Sequence, residues 1–216
     1  MRPSPLFSFI SSLSIFTLLL LHAPPPSTAA LANPTTTTAS AAAPYTDFIL
    51  KSCQNTLYPD TCYASLSRYA SAVRGDVARL ARVAIGVSLD HAKSMTTYVG
   101  NNNLSPLADG GGEHRAVAAI RDCSSTLGDS VDQIQESLQQ MKQLGGSAED
   151  LAFQLSNVLT WMSAAETNED TCVDGFDNVA DGSLRSDVYD GVVKVKQLTS
   201  NALALVNAFA NKVAKP

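Results

Sequence analysis

The side chains that usually carry catalysis are scarce in this chain. It has three histidines. His22 lies in the first apolar stretch, and His114 directly follows Glu113, so on a helix the two point in different directions and share no metal or acid–base role. His91 falls on the inner side of a helical pattern, where a core or boundary histidine is the plain reading. The chain also lacks a Gly-x-Ser-x-Gly elbow, a His-Glu-x-x-His pair and a phosphate-cradling glycine loop. Gly110-Gly111-Gly112 follows Asp109 with no strand before it and reads as an interhelical loop. Glu166, Glu169, Asp170, Asp174 and Asp177 cluster in sequence but spread around a helix, as a solvated face does. No catalytic residue, metal site or cofactor is expected.

Aromatic residues make up only 6% of the chain, against abundant Ala, Leu and Val and few prolines beyond Pro106, a composition that favours helix over sheet. Positive charge is also in deficit, with 15 basic residues against 20 acidic ones. Nucleic acid and anionic polysaccharide are therefore poor partners. Long apolar runs are confined to the N-terminus, where Arg2 precedes Leu6 to Leu21 and small residues follow at Ala23 and from Ser27 to Ala30. These are the three parts of a secretory signal, expected over residues 1–30 with cleavage between Ala23 and Ala30. The run falls short of the roughly 20 apolar residues that a spanning helix needs, so after cleavage no membrane association is expected. Residues 31–44, LANPTTTTASAAAP, hold few large apolar side chains and read as a disordered lead-in. The domain proper is placed at 45–212, long enough to bury a core of its own.

Four cysteines remain, an even number in a secreted chain. The midpoint between Cys123 and Cys172 falls on Gly145-Gly146-Ser147, a break between two long amphipathic stretches. If these stretches are antiparallel helices joined there, the two sulfurs lie at matching heights. Cys53 and Cys62 repeat the arrangement around Leu57-Tyr58-Pro59, so both pairs read as staples across helical hairpins.

Helical periodicity supports this. One stripe runs through Val188, Val192, Val195, Thr199, Ala202, Val206 and Phe209, and a second through Leu151, Leu155, Val158, Met162, Ala165, Cys172 and Phe176. A third takes Ile120, Cys123, Leu127, Val131, Ile134, Leu138 and Met141. The fourth, from Asp76 to Val99, places Val77, Leu80, Val83 or Ala84, Val87 and His91 inward. Ser147 followed by Asp150 is an N-terminal cap. Four such helices joined by short breaks predict an all-α fold, an antiparallel up-and-down four-helix bundle with a small helical hairpin before it.

Three blocks carry a resemblance: CQNTLYPDTC from Cys53 to Cys62, Asp122-Cys123 with Asp129 and Val131 downstream, and WMSAAETNEDTCVDGF from Trp161 to Phe176. With SNALALVN from Ser200 to Asn207, they are similar to the plant invertase and pectin methylesterase inhibitor family, in the family's order. The resemblance implies the same bundle and hairpin, disulfides Cys53–Cys62 and Cys123–Cys172, and a secreted protein that covers the active cleft of an extracellular carbohydrate-active enzyme, one to one. The chain lacks the Pro-Lys-Phe tripeptide common in invertase inhibitors, and its Trp161–Phe176 block is more like the pectin methylesterase inhibitors. Pectin methylesterase of the plant cell wall is thus the expected partner, with cell-wall or vacuolar acid invertase as the alternative.

Glu166 stands where the family usually has leucine, and no free cysteine remains to link two copies. The candidate contacts are Thr167, Asn168, Asp170 and Thr171, with Asp129 and Asp132 on the preceding helix. Asn103 heads the one acceptable glycosylation sequon, directly before Pro106. Two remote alternatives are a helical module that binds an apolar ligand, which would need a cavity that filled apolar stripes do not reveal, and a residual esterase, which lacks a nucleophile–base set.

Overall fold

The computed structural model describes residues 37–102, 111–180 and 182–214, and these form helices joined by turns, with no strand. A hairpin of α1 (Thr37–Cys53) and α2 (Pro59–Leu66) leads through a 3-10 turn, Ser67–Tyr69, into the short α3 (Ala70–Val73). Four long helices follow: α4 (Val77–Asn102), α5 (Gly111–Lys142), α6 (Ala148–Asp174) and α7 (Ser183–Val213). Helix α4 packs against α5 and α7, and α6 closes the square against the same two. This is the bundle with a preceding hairpin that the periodicity predicts. No helix of the described residues is long and apolar enough to cross a membrane.

The signal segment, residues 31–36 of the lead-in, and Asn103 lie outside the described residues. The rest of the lead-in departs from expectation: residues 37–44 are not disordered but open α1, with Pro44 inside the helix. Composition there argues against a core, but Ala39, Ala41, Ala42 and Ala43 are strong helix formers, and helix needs only propensity and a folded continuation to extend from. Pro44 forfeits one backbone hydrogen bond.

Local chemistry sets each boundary. Arg74 takes a left-handed φ of 52° and Gly75 one of 73°, which ends α3 and turns the chain into α4. Asp76 caps α4 by accepting from the Arg79 N–H at 2.8 Å. At the head of α6, Ser147 and Asp150 form a reciprocal capping box, the Asp150 N–H reaching Ser147 Oγ at 3.1 Å and the Ser147 N–H reaching Asp150 Oδ2 at 2.9 Å. The Ser147 N–H, and after it the Ser147 hydroxyl, which donates to the same oxygen at 2.8 Å, hold the Asp150 carboxyl below the ordinary aspartate range. The reversal before it needs Gly146, whose φ is 96° and where a Cβ would sit 2.7 Å from Asp150 Oδ2. The Gln154 amide then clamps the turn, donating to Gly145 O and accepting from Gly145 N, each at 3.0 Å.

The core follows the four stripes. Leu155, Val158, Met162, Ala165, Cys172 and Phe176 of the second are buried, as are Val188, Val192, Val195, Thr199, Ala202 and Val206 of the last. The stripe ends, Leu151 and Phe209, are only half-buried, as are Val131 and Leu138. On α4, Leu80, Ala84 and Val87 are buried while His91 sits at the boundary, its Nδ1–H given to Val87 O at 2.9 Å. Each large apolar side chain so buried stabilises the fold by roughly 1.5–3 kcal/mol before entropy is counted. Helices α4 and α7 come close at Gly191, where any Cβ would strike Met95 Sδ.

Both hairpins are stapled. Cys53 and Cys62 are bonded with their Cα atoms 5.6 Å apart, and Cys123 and Cys172 with theirs 4.2 Å apart. The small hairpin docks on α7 through Asn201, which is buried: its side-chain NH2 donates to Tyr58 O at 3.0 Å and its Oδ1 accepts from Tyr58 N at 3.1 Å. Thr61 adds a hydrogen bond to Gln197 Oε1 at 2.9 Å.

Candidate functional site

A helix that buries one stripe displays the opposite one, and on α6 the outer stripe is chemically uniform from Ser156 to Thr171, beyond the exposed Phe153. Ser156, Thr160, Ser163, Thr167 and Thr171 recur at helical spacing and are all exposed. The threonine hydroxyls turn their protons back into the helix: Thr160 donates to Ser156 O at 2.9 Å, Thr167 to Ser163 O at 3.0 Å and Thr171 to Thr167 O at 2.8 Å. Their lone pairs point outward. The face is polar, uncharged and rich in acceptors, and it costs less to dehydrate than a charged one.

The other residues singled out from the sequence flank this face in two directions. Asn168 is half-buried and faces α5, donating to Gln133 Oε1 at 3.0 Å. Asp170 faces α7, where it pairs with Lys196 and raises the lysine's pKa. Asp129 and Asp132 lie on the far flank of α5, lining a shallow groove with Lys93, Thr96 and Thr97 of α4. The structure therefore joins Thr167 and Thr171 to Thr160 and Ser163 in one surface, sets Asn168 and Asp170 at its edges, and puts Asp129 and Asp132 on a different face. Thr160 and Ser163 were not singled out from the sequence, although the hydroxyls recur there by fours and threes.

Glu169 requires a correction. It does not belong to a solvated face but is fully buried in the bundle core. Its position explains this: Glu169 lies four residues after Ala165 and three before Cys172, and so fills the gap in the inward stripe. Ser130 and Thr199 donate to its Oε1, at 2.7 and 2.8 Å. Burial pushes the carboxyl up to about 8 from an ordinary 4.5, against the pull of those two hydrogen bonds, and the negative charges of Glu166 and Asp170 push the same way. The remaining acidic residues behave as expected of a surface, with Asp174 and Asp177 exposed and Glu166 half-exposed. Among the described residues, no three His, Cys, Asp or Glu side chains converge as metal ligands would.

Comparison with known proteins fits this framework. The chain is 42% identical over 173 residues to the 21 kDa protein of Daucus carota, spanning 79% of this chain and 88% of that protein. It is 42% identical over 170 residues to pectinesterase inhibitor 9 of Arabidopsis thaliana, spanning 76% of this chain and 81% of the relative. The crystal structure of a mutant form of a pectin methylesterase inhibitor from Arabidopsis superposes with a TM-score of 0.58 at 18% identity, over 72% of this chain and 92% of that one, a likeness of fold. Residues 47–205 match the family described as plant invertase/pectin methylesterase inhibitor, and the chain belongs to that family.

Proposed function

We propose that this domain is a secreted inhibitor that binds plant pectin methylesterase one to one, covers the active-site cleft, and so limits pectin de-esterification in the cell wall. The observation that carries the reading is the 42% identity, across most of both chains, to a protein named as a pectinesterase inhibitor. The domain works by binding and not by turnover, and that role asks of the fold only a rigid surface. The four-helix core and two staples supply the rigidity, and α6 supplies the surface.

Thr167 and Thr171 sit at the centre of the contact, with Asn168 and Asp170 at its rim. Asp129 and Asp132 form a second, lesser patch. A complex of standard size buries about 1,600 Å², so neighbouring residues must take part as well. Pectin methylesterase is preferred to acid invertase because the Pro-Lys-Phe tripeptide is absent and the Trp161–Phe176 block is of the methylesterase-inhibitor kind. Residues 1–30 direct export and leave the mature chain in the cell wall, where the two disulfides are stable.

Titrating the oxidised protein, at mildly acidic and neutral pH, into separate assays of plant pectin methylesterase and acid invertase tests the reading. Saturable loss of methylesterase activity at one inhibitor per enzyme is the expected result. Loss of invertase activity alone would transfer the function to the second enzyme, and silence in both would end the proposal. Mass spectrometry of secreted material fixes the cleavage site between Ala23 and Ala30 and the glycosylation state of Asn103.

A further inference from the structure

One layer of the bundle core takes a polar side chain from each long helix: Ser88 of α4, Ser130 of α5, Glu169 of α6 and Thr199 of α7, each with no exposed surface. The hydrogen bonds form a chain. Ser130 donates to Glu169 Oε1 at 2.7 Å and Thr199 donates to the same oxygen at 2.8 Å. Thr199 Oγ1 also lies 3.2 Å from Val195 O, and Ser88 Oγ lies 2.7 Å from Thr199 Oγ1; when the threonine proton goes to Glu169, the serine is the donor. Among the described residues, Glu169 Oε2 has no hydrogen-bond partner. Two neutral hydroxyls on one oxygen and nothing on the other leave a deficit that costs less as an unshared acid hydroxyl than as half of a buried negative charge. They are a poor shell for a carboxylate, which calls for donors on both oxygens or a cation.

Among the described residues, the surrounding charges offer no cation. On α4, Asp90 is exposed and His91 is bonded to its own helix. On α5, Asp129 and Asp132 are exposed and Gln133 is engaged by Asn168. On α7, Lys196 is paired with Asp170. The charges that act on Glu169 are Glu166 and Asp170 of its own helix, both negative.

We infer that this layer is a proton-sensitive joint: Glu169 is packed as the neutral acid, and the bundle is tightest in acid and loosens as rising pH drives the carboxyl to ionise. Below about 4.5 the carboxyl is protonated in the folded and the unfolded chain alike. Above that value the unfolded chain ionises first, while burial holds the folded carboxyl protonated up to about 8, so stability falls across this interval and levels off beyond it. To be solvated, the carboxylate must part α6 from α7 or admit water to the layer.

The test is urea unfolding of the oxidised wild type and the Glu169→Gln variant at intervals between about pH 5 and about pH 8. For the wild type, the unfolding constant is expected to rise toward tenfold per pH unit relative to the variant, whose every other titratable group is the same. Parallel pH profiles for the two proteins would overturn the inference. Should the variant fail to fold, carbon-13 NMR of glutamate-labelled wild type decides the matter: a core carboxyl titrating well above the ordinary range supports it, and one already ionised at mildly acidic pH refutes it. Neither readout involves an enzyme, so the outcome is independent of what the domain inhibits.

Discussion

The molecule contains two stapled hairpins, and each meets the rest of the fold through a buried polar side chain. At the small one, Asn201 uses its amide twice, giving a hydrogen bond to Tyr58 O and taking one from Tyr58 N. At the large one, between α5 and α6, Glu169 uses one oxygen twice and leaves the other bare. An amide has a donor and an acceptor side by side and matches a backbone peptide group at any pH. A carboxyl accepts from two hydroxyl donors in either charge state, and here it is burial, with one oxygen left without a donor, that keeps the proton on. The first joint fixes register with little dependence on conditions, and the second ties the packing of four helices to the proton concentration.

Removing the staples tests the comparison most severely. Replacing Cys123 and Cys172 together by alanine should cost about 4 kcal/mol on the chain-entropy estimate, measured by urea unfolding, because this bond closes a loop of sequence separation 49. The pair Cys53 and Cys62, with separation 9, should cost about 2.5 kcal/mol on the same scale. Near-equal penalties would show that strain or residual structure, and not loop length, governs the two hairpins. Asn201→Ala orphans the Tyr58 N–H, while Tyr58 O keeps the Cys62 N–H at 2.9 Å, and should cost about 2 kcal/mol, with a penalty that does not vary between about pH 5 and about pH 8. A penalty that tracks pH would erase the distinction between amide and carboxyl. The smallest effect belongs to Ser147→Ala. It removes the cap on the Asp150 N–H and the hydroxyl bond to the Asp150 carboxyl, while the Ser147 N–H, the larger cause of the lowered Asp150 pKa, stays in place, so only part of its modest loss of thermal stability should shrink in strong acid, as Asp150 is protonated.

Much of the architecture was legible because stripes of Val, Leu, Ile and Met recur at helical spacing and the cysteine pairs straddle plain turns. Glu169 was not, since an acidic residue among acidic neighbours reads as surface unless its place in the inward stripe outweighs its chemistry. The start of α1 escaped for a related reason: a search for large apolar residues passes over alanine, which builds helix without building core. On α6, Thr167 and Thr171 were found through the resemblance, whereas their union with Thr160 and Ser163 follows from geometry, which sorts one linear segment onto three sides of a helix. Asp170 looked like a surface contact in sequence, and its partner Lys196 lies on another helix.

The claim that α6 presents the inhibitory face is tested most directly by placing charge on it. Thr167→Lys combined with Thr171→Lys adds two exposed side chains that reach no core atom, so the melting temperature should stay close to that of the wild type. If these threonines lie at the centre of the contact, potency against pectin methylesterase should fall by about thirtyfold or more, the loss expected of a disrupted hot spot. Unchanged potency in a variant of unchanged stability would contradict the account and move the interface to another face of the bundle.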